Sequence, residues 1–177
     1  MSKFLFPFVI YLMATSALAS GEISTDMPSN REAKKVGVGL SVGNPFPSLI
    51  GLNASYNMND FLRARVGYGE IEATTGISSN GNTLVSKTTK VTTYGAGATA
   101  FVPGMSFSPI AGLAVSHVAF EGDGELEIQG VKKSGTLFYG SVGVDWLASS
   151  GFNAGLGYHI GISQAGGSMY ADLGWFF

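Results

Sequence analysis

The sequence predicts an all-β protein, an eight-stranded antiparallel up-and-down barrel with its apolar side turned outward. Three observations lead there. Apolar residues alternate with glycine or polar residues through eight segments, the period-two signature of strands between an oily and a polar surface. Charged residues keep almost wholly to the connections, and the few inside the segments share the glycine side. Large aromatic residues gather near the ends of the segments rather than along them.

The composition bounds the rest. With 177 residues there is room for one domain. Only 12% of residues are charged, about half the globular norm. The 26 glycines are roughly twice the usual share. A net charge of -2 offers no basic patch, so a nucleic-acid partner is not expected. The absence of cysteine excludes disulfides, thiolate chemistry and Cys-ligated metals, and two histidines leave a His-based metal site little to draw on. No metal and no cofactor are expected.

Residues 1–19 carry Lys3, an apolar run from Phe4 to Met13 and the small-x-small triplet Ala17, Leu18, Ala19. They read as a secretory signal cleaved after Ala19, since the run is too short for a membrane anchor and contains Pro7. Residues 20–34 are polar without a period and read as a flexible N-terminal segment. The barrel is expected over residues 35–177.

Strand one sets Val36, Val38, Leu40 and Val42 against Gly37, Gly39, Ser41 and Gly43. After "NPFPS", strand two sets Ile50, Leu52, Ala54, Tyr56 and Met58 against Gly51, Asn53, Ser55 and Asn57. Beyond the turn "NMND", strand three opposes Leu62, Ala64, Val66 and Tyr68 to Arg63, Arg65, Gly67 and Gly69. Strand four turns Tyr94, Ala96, Ala98, Ala100 and Val102 outward and Gly95, Gly97 and Thr99 inward. In strand five, Gly112, Ala114 and Ser116 suit the crowded side, which leaves Pro109, Ala111, Leu113 and Val115 outside. Strand six opposes Phe138, Val142, Val144 and Trp146 to Tyr139, Ser141, Gly143 and Asp145. Strand seven opposes Phe152, Ala154, Leu156, Tyr158 and Ile160 to Asn153, Gly155, Gly157 and His159. Strand eight, "MYADLGWFF", places Met169, Ala171, Leu173, Trp175 and Phe177 outside and Tyr170, Asp172, Gly174 and Phe176 inside.

Only Arg63, Arg65, Asp145 and Asp172 are charged and lie well inside these segments, all on the glycine side. A soluble sandwich or lipocalin-like barrel has the opposite arrangement, with Lys and Glu alternating along its outer face. The outer face here suits hydrocarbon. Two aromatic belts agree: Phe61, Phe107, Trp146, Phe152, Trp175 and Phe177 at one rim, and Tyr68, Tyr94, Phe138 and Tyr158 toward the other. Eight strands enclose only side-chain space, so the polar interior should be filled.

The signal, the eight-strand meander, "SYNMNDFLRARVGYG", "SPIAGLAVSH" and the terminal "GWFF" resemble the small outer-membrane β-barrel family, that of the OmpA transmembrane domain and OmpX. The resemblance spans residue 35 to the end and implies a cell outer-membrane location, with outer-membrane lipid around the wall. It also implies recognition by the barrel-assembly machinery through Leu173, Trp175 and Phe177.

Inside, Arg63 and Arg65 are expected to pair with Asp145 and Asp172, because an unpaired charge there would be expensive. The network is read as a structural plug; switching salt bridges in a small ion-conducting pore is the rival. His159 is read as a lumen polar residue and His117 as near the outer interface. A lipid-modifying enzyme is the remaining rival. The pattern of the outer-membrane deacylases puts a serine two residues after the histidine, where this chain has Gly161, and Ser163 lies four away. No catalytic residue is assigned and no enzyme activity is expected. The two long connections read as projecting hairpins, one with an Asn80-Gly81 turn signal and one with a turn at Gln129-Gly130. In the second, Glu125 and Glu127 with Lys132 and Lys133 fit no calcium loop. If these hairpins stand above the surface, their exposed edges offer a place for a protein partner.

Overall fold

A computed structural model describes residues 29–43, 51–80, 83–122, 134–163 and 167–177, with backbone alone for 73, 75–80 and 83–87. The chain turns through one short helix, α1 (Asn30–Ala33), and then runs as eight strands. They are β1 (Val36–Val42), β2 (Gly51–Asn57), β3 (Leu62–Asn80), β4 (Thr83–Phe101), β5 (Phe107–Gly122), β6 (Ser134–Leu147), β7 (Phe152–Gly161) and β8 (Gly167–Phe176). Each pairs antiparallel with the next, and β1 closes on β8, giving a closed eight-stranded up-and-down barrel. This is the architecture that the resemblance to small outer-membrane barrels implies. No helix among the described residues is long and apolar enough to cross a membrane, which says nothing of crossing by strands.

The turns at the end that carries both termini are tight, for local reasons. The Asn59 side-chain oxygen accepts the N–H groups of Phe61 and Leu62 at 2.9 and 2.8 Å, bending the β2–β3 connection. Ser108 Oγ accepts the Val102 N–H at 2.8 Å and holds the β4–β5 connection. The opposite end is uneven. β3 and β4 are 19 residues each, about 60 Å at ~3.3 Å per residue, where crossing a membrane takes about 9–11. They pair continuously from Leu62↔Ala100 to Asn80↔Thr83, with one bulge between Thr75 and Ile77. Asn80 therefore faces Thr83 across a connection of which Gly81 belongs to the residues not described.

Period two governs the wall throughout. Leu52 is 63% exposed, Leu173 56% and Val38 53%, and each is on the outside. The inward sides of the same strands hold Ser41, Ser55, Asn57, Arg63, Ser108, Ser141, Asp145, Asn153, His159 and Asp172, all buried. The face assignments for β1 to β8 hold among the described residues, outside which Ile50 lies, except that Val102 does not point outward. It lies just beyond the end of β4, where the chain turns, and is buried there.

A second correction concerns residues 29–34. Expected as part of a loose segment, they form α1, capped by the Ser29 hydroxyl on the Glu32 N–H, and Arg31 is buried inside the barrel mouth. One polar turn with no strand period carried no sign of that insertion. Residues 1–28 lie outside the described residues.

Candidate functional site

The strands bring the inward side chains together in three levels. At the terminal end, Asp145 on β6 is the hub. Its Oδ2 meets Arg63 Nη1 at 3.0 Å and the Asn153 side-chain amide at 2.9 Å, while its Oδ1 meets Arg31 Nη2 at 3.0 Å. Arg63 also donates from Nε to Asn57 Oδ1 at 2.8 Å. Its guanidinium lies between two rings, 4.7 Å from the Phe101 centroid and 4.4 Å from that of Phe176. Aromatic rings close by and a carboxylate within hydrogen-bond reach hold a guanidinium well. Gly37 makes this possible, because a Cβ there would sit 2.6 Å from the Phe176 ring.

In the middle level, Arg65 Nη1 and Asp172 Oδ2 are 2.8 Å apart. His159 stacks on Tyr170 with centroids 4.4 Å apart and planes 21° from parallel, and its other neighbour is Tyr139 at 5.2 Å. Gly157 leaves the space for Tyr170, whose ring would meet a Cβ there at 2.6 Å. His159 and Ser163 do not come together, since the Ser163 hydroxyl accepts the Phe138 N–H at 3.0 Å at the rim.

The uppermost level differs from the expected polar interior. Val91, Val118, Leu137 and Tyr139 form a buried cluster, with Ile71, Ala114 and Phe120 packed against it. These are inward positions of β3 to β6; the sequence reading named Ala114 and Tyr139 among them but did not expect an apolar level there.

Outside, that row is set by register. Tyr68 pairs with Tyr94, Tyr94 with His117, and His117 with Thr136, whose hydroxyl is 3.2 Å from His117 Nδ1. The opposite row holds Phe61, Phe107, Trp146, Phe152 and Trp175, with Trp146 and Phe152 edge to face at 5.8 Å. On β5, Phe107 and His117 are ten residues apart, which at a tilt of about 40° separates the rows by about 25 Å along the axis. Charge begins directly above. The Tyr68 hydroxyl donates to Glu70 at 2.6 Å, and Lys90 Nζ lies 2.9 Å from the same carboxylate. That hydrogen bond, and then Lys90, hold the Glu70 carboxyl below its ordinary range, while Glu70 raises the Lys90 ammonium.

Arg63, Arg65, Asp145, His159 and Asp172 thus all lie inside the barrel. Leu173, Trp175 and Phe177 are on its outer face, the Phe177 N–H bonded to Val36 O at 2.8 Å. Glu125, Glu127, Lys132 and Lys133 lie outside the described residues. The sequence reading set Asn57, Asn153 and Phe176 on the inward side without joining them to this network, and singled out neither Phe101, which shares the inward parity of β4, nor Arg31, which gave no signal. No group of three or more His, Cys, Asp or Glu among the described residues is arranged to hold a metal.

Fold and lumen define a closed β-barrel with an apolar wall and a charged, aromatic interior. No protein-family model matches the chain, and no curated protein does. Among solved structures it is similar to the crystal structure of Ail, the attachment invasion locus protein of Yersinia pestis, in complex with the heparin analogue sucrose octasulfate. That chain is 13% identical, with 81% of this chain and 96% of that one covered and a TM-score of 0.42. A likeness of that size adds nothing to the architecture, which stands on the strand register.

Proposed function

We propose that this chain is an integral outer-membrane barrel of a Gram-negative envelope, exported by residues 1–19, whose closed lumen serves stability and whose projecting strands serve surface contact. The observation that carries the reading is the wall itself. Between the two aromatic rows the outward positions hold no charge, while Arg63, Arg65, Asp145 and Asp172 point inward. A water-soluble protein would expose those charges and bury Leu52 and Leu173; hydrocarbon around the barrel requires the reverse. Short turns at the terminal end and tall strands at the other orient the barrel with its termini in the periplasm. Leu173, Trp175 and Phe177 then present the assembly signal on the outer face of β8.

The interior supports closure rather than conduction, because ion pairs, stacked rings and an apolar level succeed one another along the axis. Surface contact is supported by β3. Among the described residues, nothing pairs with its second edge beyond Gly69, and an edge of that kind is suited to taking up a partner strand.

Fractionation tests placement. The chain is expected in isolated outer membranes, extracted only by detergent and migrating faster on a gel when unheated than when boiled; recovery in the soluble fraction would end the reading. Deleting residues 76–84 and 123–133 is expected to leave insertion intact and remove cell-surface binding.

A further inference from the structure

We propose that the terminal mouth contains a guanidinium seat that Arg31 occupies reversibly, so that residues 29–34 act as a detachable stopper on the periplasmic side of the barrel. The inference rests on the closed-lumen reading above. Two arginines meet one carboxylate here, and they are not equivalent. Arg63 is carried by β3, and its partners Asp145, Asn57, Phe101 and Phe176 are supplied by β6, β2, β4 and β8. With Asn153 on the same carboxylate, that arrangement is complete and neutral without any help.

Arg31 comes from outside the sheet. Its seat is Asp145 Oδ1 at 3.0 Å, the Met105 carbonyl, which accepts from Nη1, and the Phe101 face at 4.1 Å. Asn30 fastens the same segment from its side-chain amide, to Leu147 O at 2.9 Å and Ser106 Oγ at 3.0 Å. Asn57 fastens it further on, donating to Lys34 O at 2.7 Å. Arg31 adds a second cation to a pair already balanced, and burying a surplus charge opposes docking. It is also the one member of the level that can withdraw without breaking a strand pairing. A residue that is costly to bury, held by a few polar contacts on a short segment, is poised between docked and free states.

The chain has no cysteine, so a Ser108→Cys reporter is the sole thiol; it alters the hydroxyl that accepts the Val102 N–H, and the same change is therefore carried in every background compared. Ser108 faces Asp145 in the β5–β6 register and is buried. In nanodiscs, with both mouths open to water, its reaction with a charged thiol reagent is expected to be slow with Arg31 present. It should be faster by about tenfold or more in Arg31→Ala, and slow again when guanidinium is added below denaturing concentration. Asn30→Ala, which leaves every lumen charge in place, is expected to give a smaller acceleration and keeps the test sound if Arg31→Ala does not fold. Equal rates in all backgrounds, or an acceleration that guanidinium does not reverse, would overturn the proposal. Steady conductance through the intact barrel would instead end the closed-lumen reading on which it rests.

Discussion

The lower and upper parts of β3 and β4 obey opposite rules along one continuous ladder. Below the Tyr68–Tyr94 pair, Leu62, Ala64, Val66, Ala96 and Ala98 face out, while Arg63, Arg65 and glycine face in. Above it, as far as the bulge after Thr75, the parity continues but the chemistry inverts, with Glu70, Glu72, Lys90 and Thr92 outside and Ile71 and Val91 inside. The upper part reads like an ordinary sheet in water; the lower part reads like a sheet in oil. One row of tyrosines separates them. The barrel has no fixed polar side, only a side that suits whatever medium surrounds each level.

The sharpest way to break this comparison is at the hub of the lower part. Asp145→Ala leaves Arg63 buried without its carboxylate and is expected to cost about 3–5 kcal/mol, as a lower urea midpoint of the folded gel band in lipid vesicles. An unchanged midpoint would mean that the interior charges sit in water. Next comes the wall, where Leu173→Arg is expected to cost about 2–4 kcal/mol in a bilayer, the penalty for a charge near midplane. A surface leucine of a soluble protein would tolerate the change.

The smallest effect belongs to the upper part. Since the Glu70 carboxyl is held low by the Tyr68 hydroxyl and then by Lys90, its contribution is fully present above the ordinary carboxylate pKa of about 4.3 and fades as pH falls through its own lower value. Amide exchange at the Glu70 and Lys90 backbone is expected to quicken over that acid range. Glu70→Gln is expected to remove the dependence with no shift in the urea midpoint, because the pair is exposed.

Much of this molecule was legible in its residue order because an apolar outer face and a polar inner face impose a strict alternation on each strand. Val36 to Val42 and Leu52 to Met58 could be assigned to a face with nothing but parity. The same parity set Arg63, Arg65, Asp145 and Asp172 inward. What was not legible depended on distance in the chain or on a change of medium. Arg31 sits on one turn of helix, 114 residues from its carboxylate, and no local pattern connects the two. Phe101 and Phe176 had the inward parity of their strands, yet only the folded structure shows that both rings pack on the Arg63 guanidinium. The apolar upper level was missed because Ile71 and Val91 follow the rule of the watery part, where the inward side is the apolar one, and a polar interior was expected along the whole of each strand.

The seam between β1 and β8 has a consequence for how the molecule is made. Val38 pairs with Trp175 and Leu40 with Leu173, so the earliest strand finds its second neighbour only when the last has been synthesised and delivered. Until then both edges are bare, and an edge of that kind invites the wrong company. On the outer-membrane reading proposed above, the passage from ribosome to bilayer is the stage at which those edges stand exposed.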